Sequence, residues 1–125
     1  MSVTYADTSV LVALAFREAS ASQLRRRLSR AARVVTSVFA EAELASALKR
    51  EALELNASPL SGITLVPTVD SLAGEIRTVL AAGYVRGADC WHLAVALSVA
   101  PRRDLTFLTV DKSQQAVAER LGFTT

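Results

Sequence analysis

Leu105-Thr106-Phe107-Leu108-Thr109-Val110, closed by Asp111, is the stretch whose reading decides the fold. An unbroken run of β-branched, aromatic and aliphatic residues predicts a strand. Asp111 then predicts the N-cap of a helix reaching Leu121, where Gly122 ends it. Asp111 and Gln114 stand at the spacing of a capping box. The same order of strand, acid and helix opens the chain. Val3-Thr4-Tyr5-Ala6 favours a strand, Asp7-Thr8-Ser9 supplies cap chemistry, and an apolar helix follows to about Phe16.

Between these ends the alternation continues. Ser20 opens a helix with Leu24, Leu28 and Ala31 on one face and its arginines mostly elsewhere. Val34-Val35 predicts a short strand, and Ser37 predicts the N-cap of a helix to Leu55. Residues Asn56 to Gly62 carry turn chemistry, with Pro59 and Gly62 as breakers. A strand over Ile63 to Val66 follows. Two further helices span about Ser71 to Ala82, closed by Gly83, and Ala88 to Val99, stopped before Pro101. Short apolar strands separated by helices predict a three-layer α/β/α sandwich with a mostly parallel central sheet. Residues 1–125 are expected to form a single domain, because the length suits one core and no linker, repeat or low-complexity tract interrupts it.

Composition narrows the classes. Hydrophobic residues make up 51% of the chain and charged residues 21%, an ordinary globular balance. The single cysteine, Cys90, excludes an internal disulfide and any multi-cysteine metal site. The longest apolar run, Val10 to Phe16, is too short to span a bilayer, and Asp7 rather than a basic residue precedes it. A soluble, cytoplasmic protein with no membrane association is expected. With 14 basic and 12 acidic residues the net charge is +2, so binding of a polyanion must rest on local clusters. Arg25, Arg26, Arg27, Arg30 and Arg33 make one such cluster; Lys49-Arg50, Arg86 and Arg102-Arg103 are smaller ones. No dedicated base-stacking platform stands out among the few aromatic residues.

In parallel sheets, ligands bind beyond the carboxyl ends of the strands. Asp7 and Asp111 occupy such ends, and Asp89 opens a helix after Gly87. Each alone is accounted for as a helix cap. Together they imply a cleft of like charges, which raises proton affinities and calls for a compensating cation. Oxygen-only ligands suit Mg²⁺ or Mn²⁺, and no Cys/His set suits zinc. Glu41 and Glu43 both stand early in the third helix, and periodicity alone does not choose between them. His92 lies one helical turn beyond Asp89 and reads as a packed or orienting side chain rather than a general base.

Four segments carry a resemblance to a known family. Tyr5-Ala6-Asp7-Thr8-Ser9-Val10-Leu11-Val12-Ala13-Leu14 resembles the opening motif of PIN-domain ribonucleases, in particular VapC-like toxins. Thr36-Ser37 followed by Glu43-Leu44 resembles the second motif and makes Glu43 the matching acid. Asp89-Cys90-Trp91-His92-Leu93-Ala94-Val95-Ala96-Leu97 resembles the third, although Cys90-Trp91 is bulkier than the residues common there. Phe107-Leu108-Thr109-Val110-Asp111 resembles the fourth. The resemblance implies an Mg²⁺- or Mn²⁺-dependent endoribonuclease acting on single-stranded RNA, the toxin of a toxin–antitoxin pair. It implies an acidic centre of Asp7, Glu43, Asp89 and Asp111, with Asp7 and Asp89 as direct metal ligands. Thr8, Ser9 and Thr109 would support the carboxylates, bound water or a phosphate oxygen. A cognate antitoxin and a homodimer, formed partly by the helices from Ser20 to Leu55, are the partners it implies. The competing readings are a non-catalytic scaffold of the same fold and a phosphoacceptor receiver domain with Lys112 beside its acids. The receiver reading fails on sequence, because Thr8 follows Asp7 where a second acid is needed.

Overall fold

Tyr5 and Phe107 stack at 5.4 Å in the middle of the sheet, both fully buried, and the strands that carry them are neighbours. In the computed structural model, which describes residues 2–52 and 58–125, β1 spans Val3–Ala6 and β4 spans Leu105–Leu108. With β2, Arg33–Ser37, and β3, Thr64–Val66, they form a sheet of order β3-β2-β1-β4. Every pairing is parallel. The expected mostly parallel sandwich is therefore wholly parallel.

The helices are α1 (Thr8–Ala15), α2 (Ala21–Arg30), α3 (Ala40–Arg50), α4 (Ala73–Ala82), α5 (Gly87–Val99) and α6 (Lys112–Leu121). Successive residues of a strand point to opposite faces. Accordingly Leu105 and Phe107 join the core beneath α4, α5 and α6, whereas Leu108 joins Val10, Ala13 and Leu24 under α1 and α2. Leu11 packs with Leu44 and Leu48 of α3. Each fully buried Phe or Leu side chain contributes about 1.5–3 kcal/mol of burial free energy, and Phe107, Leu93, Leu105 and Leu44 are all of this kind. No helix among the described residues is long and apolar enough to cross a membrane.

Two sequence expectations need correction. Ser37 does not cap a helix directly. It ends β2, paired opposite Val66, and α3 begins only at Ala40 after Phe39, whose side chain makes no capping bond. The Ser37 hydroxyl is nevertheless used, accepting from the Phe39 N–H and from the Trp91 indole. The helix expected to reach Leu55 stops at Arg50, with Glu51 as C-cap. Leu55 and the start of the Asn56 turn lie outside the described residues.

At the other end β4 stops at Leu108, two residues short of the expected Val110, but the helix caps expected there form. Asp111 Oδ1 accepts from the Gln114 N–H at 3.0 Å, and Gly122 adopts φ +96, a left-handed conformation that glycine takes without strain. The reciprocal half of the capping box is absent. The Asp111 N–H goes to Thr109 Oγ1, and the Gln114 side chain turns inward.

Candidate functional site

The register of β1 and β4 places Ala6 opposite Leu108, so the residues that follow them emerge side by side. The Asp7 N–H donates to the Leu108 carbonyl at 2.9 Å, extending the ladder one step past the strands. From there the chain turns into α1 with Asp7 as N-cap. Asp7 Oδ2 accepts from the Ser9 N–H at 3.0 Å, and the residue is only 4% exposed.

Its other oxygen, Oδ1, accepts from Gln114 Nε2 at 3.0 Å. Gln114 is fully buried and is the residue that sequence reasoning missed. Its Oε1 accepts from Thr109 Oγ1 at 2.6 Å, and its Nε2 also lies 3.3 Å from the Asp89 carbonyl. With its backbone N–H on Asp111, this one side chain ties the ends of β1, α5 and β4 together. The spacing from Asp111 drew attention to Gln114 only as a cap partner.

Glu43 and His92 form the second half of the site. Glu43 Oε1 accepts from His92 Nε2 at 2.7 Å and from Thr8 Oγ1 at 3.0 Å. Glu41 is exposed to solvent, whereas Leu44 and Leu48 of the same helix are buried. His92 is 1% exposed; its Nδ1 lies 2.6 Å from the Tyr5 hydroxyl, which accepts from the Ser37 N–H. His92 Nε2 also stands 4.0 Å from Asp7 Oδ1. Asp89, read from the sequence as a helix cap, is instead the third residue of α5, whose N-cap is Arg86, and is half-buried beside these groups.

The electrostatics follow from this crowding. Burial, then the charges of Asp7 and Asp111, push the Asp89 carboxyl above its ordinary value. Burial opposes charge on Glu43 as well, but the His92 hydrogen bond and charge, with the Thr8 hydroxyl, outweigh it and leave the carboxyl below its ordinary value. For His92, burial alone would lower the imidazole; the Glu43 bond, then Asp7, Glu43 and Asp89, raise it. Burial and the Asp7 charge keep the Tyr5 phenol neutral.

A stability window follows. The raised imidazole contributes fully below 6.5, its ordinary value, and that contribution is lost as pH rises through the higher folded value. The lowered Glu43 carboxyl contributes above 4.5 and is lost as pH falls through its folded value. His92 is the only histidine, so its ring protons titrate without ambiguity in a proton NMR spectrum. In metal-free buffer its midpoint should lie above 6.5 and should drop in Glu43→Gln; a midpoint below 6.5 would refute the pairing.

The supporting hydroxyls divide their work. Thr8 serves Glu43, while Ser9 Oγ and Thr109 Oγ1 lie 3.2 Å apart and Ser9 Oγ accepts from the Val110 N–H. Thr109 thus reaches Asp7 through Gln114 rather than directly. Asp111 is exposed and spends one oxygen on the α6 cap, yet its charge still acts on Asp89.

Among the described residues, no three acidic, histidine or cysteine side chains converge as a ready-made metal cage. The donor chemistry nevertheless suits a hard ion, which takes one or two carboxylates and completes its shell with water and phosphate. An ionised carboxylate offers about four acceptor positions, and Asp7 uses one on each oxygen. Asp89, crowded by like charges, would be relieved by a cation.

The model of the PIN domain family matches residues 4–120 of the chain. No curated protein matches it.

Proposed function

We propose a function on one premise: the chain belongs to the PIN domain family. PIN domains are generally nucleases, so the coarse activity is hydrolysis of phosphodiester bonds in a nucleic acid. The finer reading is an Mg²⁺- or Mn²⁺-dependent endoribonuclease of a single domain, residues 1–125, cutting single-stranded RNA. One observation carries it: Asp7 leaves β1 beside the end of β4, and Gln114 bonds the Asp7 carboxylate, the Asp89 carbonyl and the Asp111 cap, gathering these acids at the carboxyl end of the parallel sheet.

Asp7 and Asp89 would hold the ion, which when bound supplies Lewis acidity and offsets negative charge on phosphate oxygens. Asp7 is held rigidly by Ser9 and Gln114. Glu43, held by His92 and Thr8 with its carboxyl below its ordinary value, would add a fixed negative charge beside the ion. Exposed Arg25 and Arg30 of α2 lie by Val34 and Ser2, toward the amino ends of the strands and away from the acids, so phosphate contacts there would be remote from the cut.

Within the same reading the chain is the toxin of a toxin–antitoxin pair, silenced by a small cognate antitoxin and active as a homodimer. What supports this is the likeness of its four motifs to the VapC group. The deciding experiment incubates purified protein with end-labelled single-stranded RNA. Internal cuts with Mg²⁺ or Mn²⁺, abolished by chelator and restored by excess metal, are expected. No cleavage under any divalent metal would overturn the nuclease reading.

A further inference from the structure

Phe39 is an unusual residue for the place it occupies. It stands at the N-cap of α3, a place where Ser, Asp or Asn is preferred, makes no capping bond and is 53% exposed. The ring is held rather than loose. Trp91 meets it edge-to-face at 5.4 Å, and the Trp91 indole N–H is fixed on Ser37 Oγ at 3.1 Å. Trp91 also lines a hollow of about 370 Å³, with Gly87 and the 84%-exposed Tyr84 at its walls. Phe39 and Trp91 thus form a short aromatic strip between the start of α3 and the second turn of α5, the two helices that carry Glu43 and Asp89.

Its position relative to the acids decides what covers it. Phe39 and Glu43 are one helical turn apart, and their backbones are bonded, Glu43 N–H to Phe39 carbonyl. Residues so spaced have Cβ atoms about 5–6 Å apart. A flat group resting on Phe39 is thus covalently within reach of a phosphate at the acids. Trp91 is also the bulky departure from the third motif.

We propose that Phe39, braced by Trp91, is the seat of an unpaired nucleobase of the RNA strand whose phosphate lies at the acidic centre. The proposal rests on the nuclease reading for its strand but not for its test. A seated base stacks on the ring, a contact that every base can make, so the site fixes the strand's position without reading its sequence. Pre-fixing the indole through Ser37 lowers the ordering cost of binding.

Trp91 is the only tryptophan, so its fluorescence reports this place alone. The experiment titrates the full chain, in chelator so that nothing is cut, with short oligoadenylate and with an abasic strand of equal length and charge. Oligoadenylate should quench Trp91 and the abasic strand should not. Phe39→Ala should weaken oligoadenylate binding about tenfold, the size of one lost stacking contact, and Phe39→Tyr should restore it. Equal quenching by both strands, or unchanged affinity in Phe39→Ala, would overturn the proposal. So would a Phe39→Ala variant whose RNA affinity is intact but whose mass by light scattering has changed, because the strip would then be a protein contact. Quenching by a chain that never cleaves RNA would sink the nuclease reading and leave the seat standing. Cleavage without quenching would do the reverse.

Discussion

Asp7→Asn is expected to abolish metal-dependent RNA cleavage, a loss of at least about a hundredfold, while the protein stays folded. The carboxylate is one of the two proposed metal ligands, and an amide is a far poorer ligand for a hard ion. The fold should survive for local reasons. Asparagine caps helices as well as aspartate, so the Ser9 N–H keeps its acceptor. The new amide donor would face Gln114, which can turn its own amide over and present oxygen, giving up its 3.3 Å contact with the Asp89 carbonyl. Thr109, whose hydroxyl now donates to Gln114, can then accept instead. Removing a buried charge also relieves Asp89. Thermal melting by circular dichroism should therefore shift by a few degrees at most, in either direction. Asp89→Asn should behave likewise in both assays. A folded Asp7→Asn that still cuts RNA would remove Asp7 from the chemistry and reduce it to a cap.

Glu43→Gln should be nearly as damaging to activity, and Glu41→Gln should be almost silent. The two residues lie two apart on one helix, yet Glu41 meets solvent and Glu43 meets His92 and Thr8. Neutralising Glu43 removes the acid nearest the imidazole and leaves His92 buried without its closest anion. Glutamine can still accept from Nε2, so the packing of Tyr5, His92 and Thr8 should be preserved and the loss should appear in turnover rather than in folding. The reverse result, a dead Glu41→Gln beside an active Glu43→Gln, would assign the role to the wrong turn of α3.

That pair also marks where the sequence stops being informative. The strands and their closing acids were legible because β-branched runs and Asp caps act locally, and Asp7 and Asp111 cap α1 and α6 as expected. The choice between Glu41 and Glu43 is not local. It depends on which side of α3 faces α1, and that is set by Leu11 packing on Leu44 and Leu48. Family likeness selected Glu43 where periodicity could not. Ser37 was misread because a hydroxyl before a helical pattern looks like a cap, whereas here β2 runs one step further to pair with β3. Gln114 was seen as half of a capping box because only a folded sheet brings Asp7 within its reach. The aromatic strip was missed for the same reason: Phe39 and Trp91 are far apart in sequence and meet through Ser37.

The bond between Gln114 and Asp7 joins residues separated by 107 positions, and β1 finds its second neighbour only in β4. During synthesis the amino-terminal half of the chain emerges first. A ribosome-bound chain that has reached Pro101 already carries Asp7, Glu43 and Asp89, yet β1 still has one open edge and Asp7 still lacks the amide that fixes it. The centre closes only when β4 and α6 leave the exit tunnel and dock. Closing the open edge of β1 and fixing the Asp7 carboxylate thus both wait on the elements furthest from Asp7 in sequence, so the order of synthesis runs opposite to the order in which the acids are locked.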